Sequence, residues 1–215
     1  MNEEWLTNLV HISTYSEEAL SQYLLNQDPL IQKIALDRQV PLIKQALAAG
    51  RALAKRANIT ADINEVMQTL QVETLPIPPK NQSYYQLAEF QLPHTIRICR
   101  GMLEETEEMI RQHDSLTFLT KQVSLYDIIL THELYHFYEQ RDQLWTSQKQ
   151  LQYRVAFLQK NVRVHALSEI AAMGFVKELY KIDYSPIILN SLIISVFNQE
   201  LGCEILNELK KYHKM

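Results

Sequence analysis

Glycine, proline and cysteine are scarce in this chain. Its 215 residues include only 4 Gly and 7 Pro, few enough tight-turn formers that the composition favours helix. Cys99 and Cys203 stand far apart without C-x-x-C spacing. They read as free thiols of a reducing compartment. The opening residues, M-N-E-E-W-L-T-N-L-V-H, are acidic and polar, unlike a basic-then-apolar leader. No run reaches the ~18 apolar residues of a membrane span. The longest apolar patch, residues 186–197, is interrupted by Asn190 and Ser191 and fits a buried helix. These absences make a cytoplasmic protein with no membrane span the expectation. A formal charge of −4 gives no electrostatic ground for nucleic-acid binding. Repeats and low-complexity linkers are absent too. With 47% apolar residues, the chain can bury a sizeable core as one large domain or two small ones.

The strongest chemical signal present is His132-Glu133-Leu134-Tyr135-His136. Histidines at i and i+4 share one face of a helix, one turn apart, so both imidazoles reach one metal ion. Glu133, beside the first of them, reaches a water on that ion without ligating it. This is the H-E-x-x-H arrangement of zinc hydrolases. A random chain of this composition would contain it on the order of one or two times in a hundred. Ser124-x-x-Asp127 supplies a capping-box-like helix start just upstream. From 128 to 138 every residue except Glu133 is uncharged. The plain alternative is an amphipathic helix that buries two histidines with polar partners.

Catalytic zinc commonly takes three protein ligands and keeps one position for water. The residues after His136, F-Y-E-Q-R-D, contain neither glycine nor histidine at metzincin spacing. The third-ligand candidate is Glu169, a lone carboxylate among Leu167, Ile170, Ala171 and Ala172 on a strongly helical stretch. Facing inward, it would need a partner; otherwise it faces solvent or pairs with an arginine such as Arg163. His165, one turn earlier, could be the third ligand instead, stabilise an oxyanion, or hydrogen-bond a ligating group; the last is preferred. Glu139 is expected to be solvated. Tyr135 and Tyr138 are expected to crowd the site.

The rest of the chain reads mainly as helix. Ser16 caps one helix. Asp28-Pro29 signals another from Leu30, which Pro41 should break or kink before it continues to Ala57. The basic residues there, Lys44, Arg51, Lys55 and Arg56, read as a solvated face. Thr60 caps a short helix over 62–70, and 80–83 is a turn. Residues 71–77, 86–91 and 95–100 are strand-prone, 101–113 is helical, and 115–122 is a loop or short extended piece. Residues 145–160 are read as a weak helix and 162–181 as a strong one. Ser185-Pro186 opens a last long helix to about Tyr212, whose middle Gly202 is expected to weaken. The division is a helical extension, 1–57, and a main domain, 58–215, with a weak boundary.

At this point the chain resembles gluzincin-type metallopeptidases, and most closely the ImmA/IrrE-type family of small intracellular H-E-x-x-H metallopeptidases. That family follows its zinc helix with E-x-x-A-x-x-F-A. Glu169-Ile170-Ala171-Ala172-Met173-Gly174-Phe175-Val176 keeps the glutamate, an alanine and the phenylalanine. Ala88-Glu89-Phe90 to Cys99 resembles the family's strand pair beside the substrate cleft. Tyr135 replaces the glycine of the family's frequent H-E-L-G-H, and no helix-turn-helix segment is evident. The resemblance, over about residues 60–186, implies an α+β, mainly helical, minigluzincin-like zincin domain with a small mixed sheet. It implies a Zn2+ cofactor on His132, His136 and Glu169, with Glu133 as general base. It also implies cleavage of a cytosolic protein or peptide, in some relatives a transcriptional regulator. An unpaired sheet edge around residues 96–100 would hold the peptide by strand addition. Two other readings remain: a metal-binding regulatory or interaction module whose N-terminal helices contact a partner or a second copy, and a non-peptidase zinc hydrolase with a deep pocket.

Overall fold

Capping side chains set where most of the helices begin. The structure, a computed structural model, describes residues 2–57, 62–76, 86–155 and 158–212. Asn2 caps α1 (Glu3–Ser13) and Ser16 caps α2 (Glu17–Gln27), each accepting a main-chain N–H in the first turn. A 3-10 turn, Ile31–Lys33, leads to α3 (Leu36–Ala57). Asp62 caps α4 (Ile63–Thr69). Three short strands follow: β1 (Glu73–Pro76), β2 (Ala88–Gln91) and β3 (Thr95–Ile98). Next come α5 (Arg100–Arg111), a 3-10 stretch (Asp114–Leu119), α6 (Leu125–Arg141) and the single turn α7 (Trp145–Gln148). A hairpin of β4 (Gln150–Val155) and β5 (Leu158–Arg163) precedes α8 (His165–Tyr180). The described chain ends with α9 (Ile188–Phe197) and α10 (Gln199–Lys210). This is a mainly helical α+β fold with a small mixed sheet, as expected. None of its described helices is long and apolar enough to cross a membrane. Both cysteines are free, Cys99 buried and Cys203 half-buried.

Several local expectations are corrected. Asp28-Pro29 does not open a long helix; only the 3-10 turn forms, and Ile34 is extended. Asp28 instead spends its carboxylate on two main-chain donors, Leu30 N–H nearby and Ala166 N–H in the first turn of α8. It therefore caps a helix that starts 138 positions away. Pro41 lies inside α3 without ending it. It falls in the second turn, where few ladder bonds precede it, so little is lost. Residues 145–160 are one helical turn and then strand, not helix. There L-Q-Y-R-V alternates with the period of a strand, and antiparallel pairing with β5 outweighs the helix propensity of glutamine. The last helix is two, broken at Asn198, which leaves helical geometry and caps α10 through Leu201 N–H. Gly202 does not weaken a helix middle; it lets α10 approach Ser195 of α9 closely. Thr60, expected as a helix cap, and residues 80–83, expected as a turn, lie outside the described residues.

The three-stranded sheet has the order β1-β3-β2, with β1 parallel and β2 antiparallel to β3. β3 is therefore central, and the expected open edge around 96–100 is paired on both sides. The two edges are β1 and β2, and β2 is the one that lines the cleft beside His132 and His136. Leu87 C=O accepts from Cys99 N–H, so by alternation Leu87, Glu89 and Gln91 face β3 while Ala88 and Phe90 turn their main-chain groups outward.

Two apolar clusters build the core, and α6 runs between them. One joins Leu42, Ala46 and Leu47 of α3 to Leu134 of α6 and Ile170, Ala171 and Phe175 of α8. The other joins Leu9 of α1, Leu103 of α5, Leu125 and Ile128 of α6, and Leu192 of α9. Both draw on residues from either side of residue 57. The basic residues of α3 are largely solvated, with ion pairs such as Lys55–Glu178 and Arg56–Asp142 at the surface.

The contact of α3 with α8 needs glycine. A Cβ on Gly50 would lie 1.9 Å from Ala171 O and 2.8 Å from Phe175 N; one on Gly174 would lie 2.8 Å from Leu47 O. The obstacles are backbone atoms, which cannot turn aside as a side chain would. Gly50→Ala is expected to lower unfolding stability by about 3 kcal/mol, measured by urea denaturation. A loss below about 0.5 kcal/mol, the usual range for a surface change, would contradict this packing.

Candidate metal centre

α6 starts where the sequence says it should. Ser124 Oγ accepts the Asp127 N–H at 3.0 Å and donates to the Asp127 carboxylate at 2.7 Å. Glu107 of α5 takes a second orphan donor, Leu125 N–H, at 2.7 Å. The helix is buried almost all round, among apolar neighbours on both sides. Ile129, His132, His136 and Gln140 are only half-buried and recur at helical spacing. They form a narrow stripe facing a cleft.

Glu169 of α8 meets that stripe. Its Oε2 lies 3.1 Å from His132 Nε2 and its Oε1 3.5 Å from His136 Nε2; the two histidine Nε2 atoms are 3.2 Å apart. Ligands about 2.0–2.1 Å from a tetrahedral zinc are separated by about 3.3 Å. The two imidazole nitrogens and the carboxylate, which meets one histidine through each of its oxygens, thus lie at about the spacing that a shared metal ion requires. Among the described residues, His132, His136 and Glu169 are the group that could hold a metal ion. Burial opposes the charge on Glu169, but the hydrogen bond with His132 and the charges of His132, His136 and Arg163 prevail and hold its carboxyl at about 2.

The tautomer of His136 follows from its other neighbours. Ser168 Oγ donates to Glu139 Oε2 at 2.7 Å and lies 3.2 Å from His136 Nδ1. The hydroxyl proton being committed to Glu139, Nδ1–H must donate to Ser168 Oγ. The Nε2 lone pair is then left pointing at Glu169 and His132, as a metal ligand requires. Glu139 is not solvated, as expected from sequence, but buried to 1% exposure. Arg163 Nη2 donates to it at 2.7 Å, so the arginine suggested as a partner for Glu169 serves Glu139 instead. Burial raises the Glu139 carboxyl, but its His136, Thr146 and Ser168 neighbours and the Arg163 charge outweigh it and hold the group at about 2. Sequence reasoning missed Glu139, Ser168 and Arg163 in this role; the one local clue was that Glu139 stands at i+3 from His136.

Glu133 is also buried, at 8% exposure, yet it lines the cleft. Burial pushes its carboxyl up, against the lowering charges of His132 and His136 and the N–H of Phe90, which hydrogen-bonds it. That N–H is one of the outward-facing groups of β2. A carboxyl raised in this way holds a proton more readily than an exposed glutamate does. His165 is exposed on the cleft wall and is not part of the three-ligand group. Tyr135 does not line the cleft: it is fully buried, its ring edge-on to the His136 ring and against Phe175, its hydroxyl 2.6 Å from Thr146 Oγ1. Tyr138 also packs on Phe175.

Glu139→Gln is expected to weaken zinc binding about 10-fold, whereas His165→Ala leaves it unchanged. Competition against a chromogenic chelator measures both. Equal affinities of wild type and Glu139→Gln would remove Glu139 from the account.

The chain matches no protein-family model, no curated protein and no solved structure, so the assignment of a role to this centre rests on its own chemistry.

Proposed function

We propose that the protein is a zinc-dependent peptidase of gluzincin type that cleaves a cytosolic protein substrate, as its resemblance to ImmA/IrrE-type metallopeptidases implies. The observation that carries the reading is the group of three ligand side chains, two on α6 and one on α8, whose nearest nitrogen and oxygen atoms lie 3.1–3.5 Å apart, next to a buried glutamate that is not among them. A structural zinc site closes with four protein ligands and needs no base; three ligands come together here among the described residues.

Zinc held by His132, His136 and Glu169 would supply Lewis acidity, lowering the pKa of a coordinated water towards 7 and polarising a carbonyl. The chain's own groups do the rest. Glu133 takes the proton of the attacking water on its carboxylate and returns it to the departing amine. His136 keeps its orientation through Ser168 and Glu139. The outward N–H and C=O of Ala88 and the C=O of Phe90 offer an extended peptide a strand edge to pair with, beside the Phe90 N–H that holds Glu133. Strand pairing fixes the peptide's main chain with little regard to its side chains, which suits a protein substrate presented in extended form.

Purified protein exposed to zinc and then desalted is expected to carry one zinc per chain, and His136→Ala or Glu169→Ala to carry almost none. Glu133→Gln is expected to keep the zinc and lose hydrolysis by about 10²–10⁴-fold. New protein N-termini, compared between cells carrying wild type and Glu133→Gln, read out the activity and name the substrate. Identical N-termini in the two strains, with zinc bound in both, would sink the peptidase reading and leave a metal-binding module.

A further inference from the structure

Two cavities meet at the metal-ligand group. One, of about 390 Å³, is polar and runs past Glu139, Arg163 and Ser168. The other, of about 270 Å³, is mainly apolar. Both are lined by Ala88, His132, Glu133 and Glu169. A peptide with its scissile bond at the triad would have a polar cleft on one side and an apolar recess on the other.

We infer that this recess selects a large aliphatic or aromatic side chain flanking the scissile bond, and that α2, within the N-terminal segment, forms one of its walls. The inference rests on the peptidase reading. The walls come from four helical segments: Tyr23 and Leu24 of α2, Ile129 of α6, Met173 of α8, and Ile187 and Ile193 at α9. No lysine or arginine lines the recess, and its carboxylates, Glu133 and Glu169, stand where it opens on the ligand group. A carboxylate guest inside the recess would lose its water, find no cation short of the metal at the mouth and face two carboxylates there. An ammonium guest would have its only counter-charges at the mouth, where one is committed to the metal. A leucine, methionine or phenylalanine side chain loses nothing polar on entering and removes apolar surface from water. Leu24, Ile129 and Met173 are only half-buried by the rest of the fold, so their surface remains for a guest to cover.

The position of Leu24 gives the N-terminal helices a part in recognition that the H-E-x-x-H pattern does not announce. α2 is held beside the site by surface and buried contacts alike: Glu17 pairs with Arg51 of α3 and Lys177 of α8, and Gln22 donates to Gln39 of α3 at 2.8 Å. The wall is therefore fixed to the same helix, α8, that carries Glu169.

The test uses zinc-loaded protein and N-acetylated hydroxamates of glycine, leucine, phenylalanine and aspartate, with affinity read by calorimetry, so that no turnover is needed. The leucine compound is expected to bind about 100-fold tighter than the glycine compound, and the aspartate compound no tighter than glycine. Leu24→Trp, checked for zinc content and melting temperature, is expected to abolish the leucine advantage by filling the recess. Leu24→Ala is expected to shift the preference towards phenylalanine. Equal binding of the glycine and leucine compounds by wild type would overturn the recess while leaving the metal site standing. An unchanged leucine advantage in both Leu24 variants would remove α2 from the wall. Failure of every hydroxamate to bind, together with absence of zinc, would take down the peptidase reading and the inference with it.

Discussion

The buried carboxylate of Glu139 ties the candidate metal centre to the rest of the fold. A charge taken out of water is costly unless hydrogen bonds and a counter-charge surround it. Here Glu139 Oε2 accepts from Ser168 on α8 and from Arg163 at the end of β5, with the His136 ring one turn back on α6 at 3.6 Å. Each of those contacts also fixes a backbone. With α6, α8 and the hairpin in register around one carboxylate, His136 and Glu169 are delivered to the same point. Thr131 and Tyr180, whose hydroxyls are 2.8 Å apart, pin the same two helices at another level. The opposite face of α8 is held by the glycine contact with α3, so the helix carrying Glu169 is clamped from both sides.

What could be read from sequence was whatever depended on neighbours in the chain. The start of α6 follows from Ser124 and Asp127, three positions apart. The shared face of His132 and His136 follows from helical period alone. Glu169 was legible because a single carboxylate in an apolar helix must find a partner, and the fold does bring it to the histidines. The strand-prone segments around Phe90 and Ile96 were legible for a similar reason, but which of them forms the edge was not. Edge position is set by the parallel pairing of β1 with β3, which no local pattern encodes.

The misses share a physical cause. Asp28 looks like the cap of the helix that follows it, and only the folded chain shows that it caps α8 instead. Glu139 looks like a solvated position at the end of a helix until Arg163 and Ser168 arrive from 24 and 29 positions away. Tyr135 was expected beside the site as core bulk, and its ring does stand edge-on to His136, yet helical geometry keeps it out of the cleft and takes its hydroxyl to Thr146. In β4 the alternation of Leu151, Tyr153 and Val155 was present, but a glutamine-rich stretch is equally compatible with helix until a partner strand decides.

The central claim is that His132, His136 and Glu169 together hold one metal ion. X-ray absorption at the zinc edge of the zinc-loaded protein tests it most directly. The account predicts four nitrogen or oxygen neighbours at about 2.0–2.1 Å, with the outer-shell scattering of two imidazoles and no sulfur. A sulfur neighbour at about 2.3 Å, which only Cys99, Cys203 or a methionine could provide, or a spectrum with no imidazole contribution, would contradict it.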